Sequence, residues 1–141
     1  MFDTLYSQVG VALGSLVIAF AFLQGDRLVR AGAAAWALSL LASLLLQNDS
    51  QLYGPQWGLM AVDVAVWPVY AALAWRSRRA WPIWAAALQS LVVMSHVLTL
   101  VDFRPPIVAF YAVINLAGYG ILLAIALGTA QAWRDHRAGV A

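Results

Sequence analysis

The sequence predicts an all-α integral membrane protein, a five-helix transmembrane bundle with its N-terminus outside and its C-terminus cytoplasmic. Three observations predict it. Of the 141 residues 64% are hydrophobic and only 10% are charged, against roughly 25% charged in a soluble domain. Five apolar runs recur along the chain, each about 20 residues long, which at 1.5 Å per residue matches a hydrocarbon core of about 30 Å. The arginines fall almost wholly into alternate loops. The chain reads as one transmembrane domain over residues 1–141, with spans at about 5–23, 28–46, 57–75, 81–101 and 107–130, and no room for a separate soluble domain.

The first span, from Leu5 to Leu23, carries Gly10 and Gly14 in a GxxxG spacing that lets a neighbouring helix approach closely. The residues before it contain Asp3 and no arginine. A cleavable secretory leader needs a positive start, so this span is expected to stay uncleaved. Arg27 and Arg30 follow. The second span repeats small residues at Ala35, Ser39 and Ser43. The longest loop, 47–56, is polar, rich in turn residues and without arginine.

The third span contains Asp63 and, further on, Pro68. A proline there leaves the carbonyl of Val64 without its helical donor, and in lipid that oxygen must find a neighbour. Arg76, Arg78 and Arg79 close the span. The fourth begins with Trp81, Pro82 and Trp84, contains Gln89 and His96, and ends at Asp102. The turn to the fifth holds Arg104, Pro105 and Pro106, which cannot continue one helix but can start the next. The fifth span carries Tyr111, Asn115 and Tyr119, then small residues at Gly120, Ala124 and Gly128. Arg134, His136 and Arg137 lie in a polar tail.

Arginine placement gives the orientation. Arg27, Arg30, Arg76, Arg78, Arg79, Arg134 and Arg137 share one side and Arg104 stands alone on the other. Positive residues concentrate on the cytoplasmic side, so the C-terminus is inside and the N-terminus outside, which needs an odd number of spans. The expected location is a plasma membrane, a bacterial inner membrane in particular. The isoelectric point near 9.4 follows from these arginines and implies no nucleic-acid partner. Arg76–Arg79 have a second reading, as contacts to anionic lipid head groups. The tryptophans at 57, 75, 81, 84 and 133 fall near span ends and read as an interfacial belt.

Chemistry is expected where ionisable residues enter the spans. A central aspartate costs roughly 2.5–3.5 kcal/mol to insert, so Asp63 and His96 should face protein or water. Counted from the outer span ends, Asp63 and His96 lie at about 9 Å and Asn115 at roughly 13 Å. Residues seven or four apart share a helical face, which groups Asp63 with Tyr70, Gln89 with His96 and Thr99, and Asn115 with Tyr111 and Tyr119. These stripes predict a polar pocket open to the outside, with Asp49, Tyr53 and Asp102 at its mouth. The plainer reading is a structural clip, in which Asp63 and His96 bond to each other or to another helix. Gly10, Gly14, Gly120 and Gly128 are expected to pack helix on helix.

No catalytic motif is present: there is no phosphate loop, HExxH, GxSxG or CxxC, and Ser95, adjacent to His96, points about 100° away from it. With no cysteine and one intramembrane histidine, no metal or cofactor is expected, since a two-haem bundle needs more histidines. Three functions remain. The first is an accessory or assembly subunit of a membrane complex or homo-oligomer, whose partners are the bilayer and other membrane chains. The second is a small carrier or channel moving protons, ions or a polar solute through an Asp63–His96 pocket. The third is a membrane redox or lipid-modifying enzyme.

Overall fold

The structure, a computed structural model, describes residues 5–46, 57–101 and 107–139. Among them are five helices and no strand: α1 (Leu5–Gln24), α2 (Arg27–Leu46), α3 (Trp57–Ser77), α4 (Ala80–Leu100) and α5 (Ile107–Arg137). Four of these, α2 to α5, contain stretches long and apolar enough to cross a membrane; α1 contributes a shorter apolar stretch, Gln8–Gln24. The loop 47–56 and the turn 102–106 lie outside the described residues, and with them Asp49, Tyr53 and Asp102.

Local chemistry ends and starts the helices where it does. At the α1–α2 turn the Gly25 amide donates to the Ala21 carbonyl at 2.8 Å, and a Cβ on residue 25 would collide with that same oxygen. Asp26 then caps α2: its Oδ1 accepts from the Val29 amide at 3.0 Å, filling one of the donors that a helix start leaves open. The α3–α4 turn is equally short. Arg78 takes a left-handed conformation with φ 53°, uncommon for a residue with a side chain, and Arg79 is the extended N-cap of α4. Pro82 sits in the first turn of α4, where its missing donor costs nothing. Pro68, by contrast, lies inside α3, which runs on through it.

The helices form a ring in chain order, closed by α1 against α5. The broadest packing is α4 on α5 and α4 on α3, with α2 also touching α5 across the ring. The α1–α2 turn, the start of α4 and the end of α5 meet at one end, where Asp26 and Arg79 are ion-paired and one cleft is lined from all three segments. The arginine-rich loops therefore share one end of the bundle.

The core lies toward that end. Ala21, Val29, Ala33, Tyr70, Leu73, Trp81, Ala85, Ile121, Ala124 and Ile125 form one buried cluster. At its centre is Trp81, only 4% exposed, with its ring against the backbone of Gly32 on α2 and Gly128 on α5. The expected belt role is wrong for this residue. Two glycines without Cβ atoms open a slot deep enough for an indole, and burial of so large an apolar ring outweighs an interfacial position. The indole Nε1 has no hydrogen-bond partner among the described residues. Trp57, Trp75 and Trp84 are exposed, as a belt requires. Trp133 is half-buried, edge-on to Phe20 with centroids 6.4 Å apart and with the Arg137 guanidinium 5.1 Å over its ring.

Three further glycines also act as sockets for side chains. Gly10 lies under the Tyr119 hydroxyl, Gly14 under the Trp36 ring and Leu122, and Gly120 under Leu88. All of these contacts join helices within one chain.

Candidate functional site

Antiparallel packing of α3 on α4 brings Asp63 level with the stretch between Gln89 and His96. His96 Nε2 lies 2.8 Å from Asp63 Oδ2. Gln89 Nε2 donates to Asp63 Oδ1 at 3.2 Å and to the Asp63 carbonyl at 3.0 Å. Both carboxylate oxygens are thus held from α4, by two residues seven apart on one face of that helix. His96 and Gln89 are buried; the Asp63 side chain keeps 20% of its surface exposed.

The Gln89 bond falls on the carbonyl beside the turn that Pro68 disturbs. Pro68 frees the Val64 carbonyl; the Gln89 side chain serves the oxygen of Asp63, one residue earlier. A second bond ties the same seam, from Trp67 Nε1 to Ser90 Oγ at 2.7 Å. Beside it runs an open groove of about 300 Å³ lined by Val64, Trp67, Ser90, Val93 and Met94, four of them apolar.

Other residues expected in the pocket go elsewhere. The Tyr70 hydroxyl donates across to the Gly32 carbonyl of α2, at a long 3.4 Å. Tyr119 turns to α1 and covers Gly10. Tyr111 is half-buried with its hydroxyl oxygen fully enclosed. Asn115 is exposed and outside the cluster around Asp63. The cause is rotational. Tyr119, one turn on from Asn115, meets α1, whereas α5 meets α4 through Gly120 and Gly128. The 111–115–119 stripe therefore runs along the α1 side of α5 and not toward the α3–α4 seam. Thr99 and Ser95, near His96 in sequence, bond to carbonyls of their own helix, at His96 and Leu91.

A further contact, absent from the expected pocket, sits at the arginine-rich end. Asp26 both caps α2 and pairs with Arg79, joining the α1–α2 turn to the α3–α4 turn. An aspartate immediately before an apolar helical run is an N-cap signal that points to it.

Chemically, the Asp63–His96 contact joins a carboxyl group and an imidazole directly, and which ring nitrogen donates depends on the tautomer. With a charged ring the contact is an ion pair; with a neutral ring it is an N–H···carboxylate hydrogen bond. No group of three or more His, Asp or Glu side chains is placed to hold a metal among the described residues. Comparison with protein-family models, with curated proteins and with solved structures finds no match.

Proposed function

We propose that this chain is a five-span subunit of a membrane assembly, a homo-oligomer in the first instance, with its N-terminus outside and its arginine-rich end in the cytoplasm of a bacterial cell. The observation that carries this reading is Asn115. It lies about 12 Å from the start of α5, at a depth inside a hydrocarbon core of about 30 Å. It is exposed there and makes no hydrogen bond among the described residues. A primary amide carries two donors and an acceptor, and leaving them open in hydrocarbon costs several kcal/mol (about 2–7 for an amide-like group). A second copy supplies a complementary amide across a twofold axis, the use that membrane helices make of asparagine. The filled core at the arginine-rich end also suits a subunit better than a pore. Light scattering of the purified chain in detergent tests the reading. The expected result is a dimer or higher oligomer for the parent and a monomer for Asn115→Leu; a monomeric parent removes the reading.

A second reading, a carrier of protons or a small polar solute, is favoured by the 2.8 Å contact of Asp63 with His96. An acid and an imidazole in contact within a membrane span are the equipment of a proton relay. Its test is pH-gradient-driven flux in liposomes, where Asp63→Asn abolishes transport if the reading holds and leaves it unchanged if the pair is only a clip.

A further inference from the structure

The cleft at the arginine-rich end is the second polar feature of the bundle, and it is far from Asp63 along the helices. It has a volume of about 370 Å³ and is lined by Asp26, Arg30, Arg79, Asp135 and His136, with Leu23 at its edge. Its charges are not equivalent. Arg79 and Asp26 neutralise each other directly. Arg30 and Asp135 line the same cleft, yet neither takes part in an ion pair among the described residues. One free cation and one free anion thus border one cavity without meeting.

The position fixes the surroundings. Arg30 is in the first turn of α2, and Asp135 lies beyond Ala130, where the apolar part of α5 ends. On the membrane orientation proposed above, on which this inference rests, the cleft lies at the level of lipid head groups. Leu23, 75% exposed at the edge, supplies an apolar contact on the membrane side, and Trp133 with Arg137 stands on the next turn.

We infer that this cleft binds a zwitterionic phospholipid head group that carries a phosphodiester and a primary ammonium, as phosphatidylethanolamine does. Arg30 takes the phosphate, in the planar two-pronged geometry that guanidinium offers, with the His136 ring beside it. Asp135 takes the ammonium, whose three N–H groups donate to a carboxylate. A purely anionic head group would set its phosphate beside Asp135 without compensation. A choline head group has no N–H to give. The fixed Asp26–Arg79 pair forms the wall and leaves the other two charges to the ligand.

The experiment uses the purified full chain in detergent, titrated separately with phosphatidylethanolamine, phosphatidylcholine, phosphatidylglycerol and soluble glycerophosphoethanolamine. Native mass spectrometry reads occupancy. Each charge-assisted contact contributes enough for about a tenfold change in affinity. Phosphatidylethanolamine is expected to bind about tenfold tighter than either other lipid. Arg30→Gln and Asp135→Asn are each expected to weaken it about tenfold, and Asp135→Asn to raise the affinity for phosphatidylglycerol. Arg30→Lys keeps the charge without the two-pronged geometry and is expected to bind more tightly than Arg30→Gln and less tightly than the parent, which separates a lost contact from a misfolded variant. Glycerophosphoethanolamine competing at comparable concentration identifies a soluble ligand as the source; failure to compete assigns the site to the lipid. Equal binding of all three lipids, or phosphatidylethanolamine binding that neither Arg30→Gln nor Asp135→Asn changes, overturns the inference. Asn115→Leu lies outside the cleft, so loss of assembly in that variant leaves this result readable by itself.

Discussion

His96 Nε2 and Asp63 Oδ2 stand 2.8 Å apart across the α3–α4 seam, while Gln89 holds the opposite oxygen of the same carboxylate. The seam is thus fixed by polar contacts where lipid-facing helices have little hydrophobic drive to associate.

Removing one partner leaves the other, largely buried, without its bond. Asp63→Leu and His96→Leu are each expected to destabilise the chain by about 1–3 kcal/mol in detergent unfolding. The double variant should cost less than the sum, with a coupling of about 0.5–2 kcal/mol. Additive losses would mean that the two side chains do not interact.

The Trp81 slot admits no extra atom. A Cβ at Gly128 would lie 2.5 Å from Trp81 Cδ1, and one at Gly32 would lie 2.7 Å from its Cη2. Gly128→Ala and Gly32→Ala are expected to lower stability by about 1–3 kcal/mol each, as overpacking does. Trp81→Phe, smaller and without the unpartnered N–H, should recover part of the loss in the Gly128→Ala background. Thermal unfolding with added lipid measures both effects.

Asp26 has two roles that substitutions separate. Asp26→Asn and Arg79→Gln break the ion pair alone, and because both groups are about a third exposed each is expected to cost under about 1 kcal/mol. Asp26→Ala also loses the α2 cap and should cost about 1 kcal/mol more. Chemical unfolding of the three variants side by side gives the order.

How much of this was readable from the chain follows from what each signal measures. The length of an apolar run sets where a helix begins and ends, and the expected span at 57–75 became Trp57–Ser77, that at 81–101 became Ala80–Leu100. Distance along a helix axis is equally legible, so Asp63 and His96 could be placed at one depth. Rotation about the axis was not. A near-uniformly apolar helix has no polar face to show which side turns inward. Hence Asn115, expected in the site with Asp63, stands outside it, and Trp81, expected at the interface, lies in the core. The Trp81 slot depends on Gly32 and Gly128 from two other helices, a three-body relation that no spacing within one helix records.

Orientation has a direct assay, because the chain contains no cysteine and any introduced thiol reports alone. Ser77→Cys lies at the arginine-rich end of α3 and Val101→Cys at the opposite end of α4. An impermeant maleimide applied to intact cells carrying an outward-facing inner membrane is expected to label Val101→Cys at once and Ser77→Cys only after permeabilisation. The reverse pattern would invert the topology.

Assembly through α5 is tested most directly by crosslinking in the native membrane. Ala112→Cys, exposed and one turn from Asn115, places a single thiol beside the proposed twofold contact. Mild oxidation is expected to give a disulfide-linked dimer of this variant, and adding Asn115→Leu should reduce the dimer at least several-fold at equal expression. A chain that stays monomeric on oxidation, or a dimer that Asn115→Leu leaves undiminished, would contradict the account.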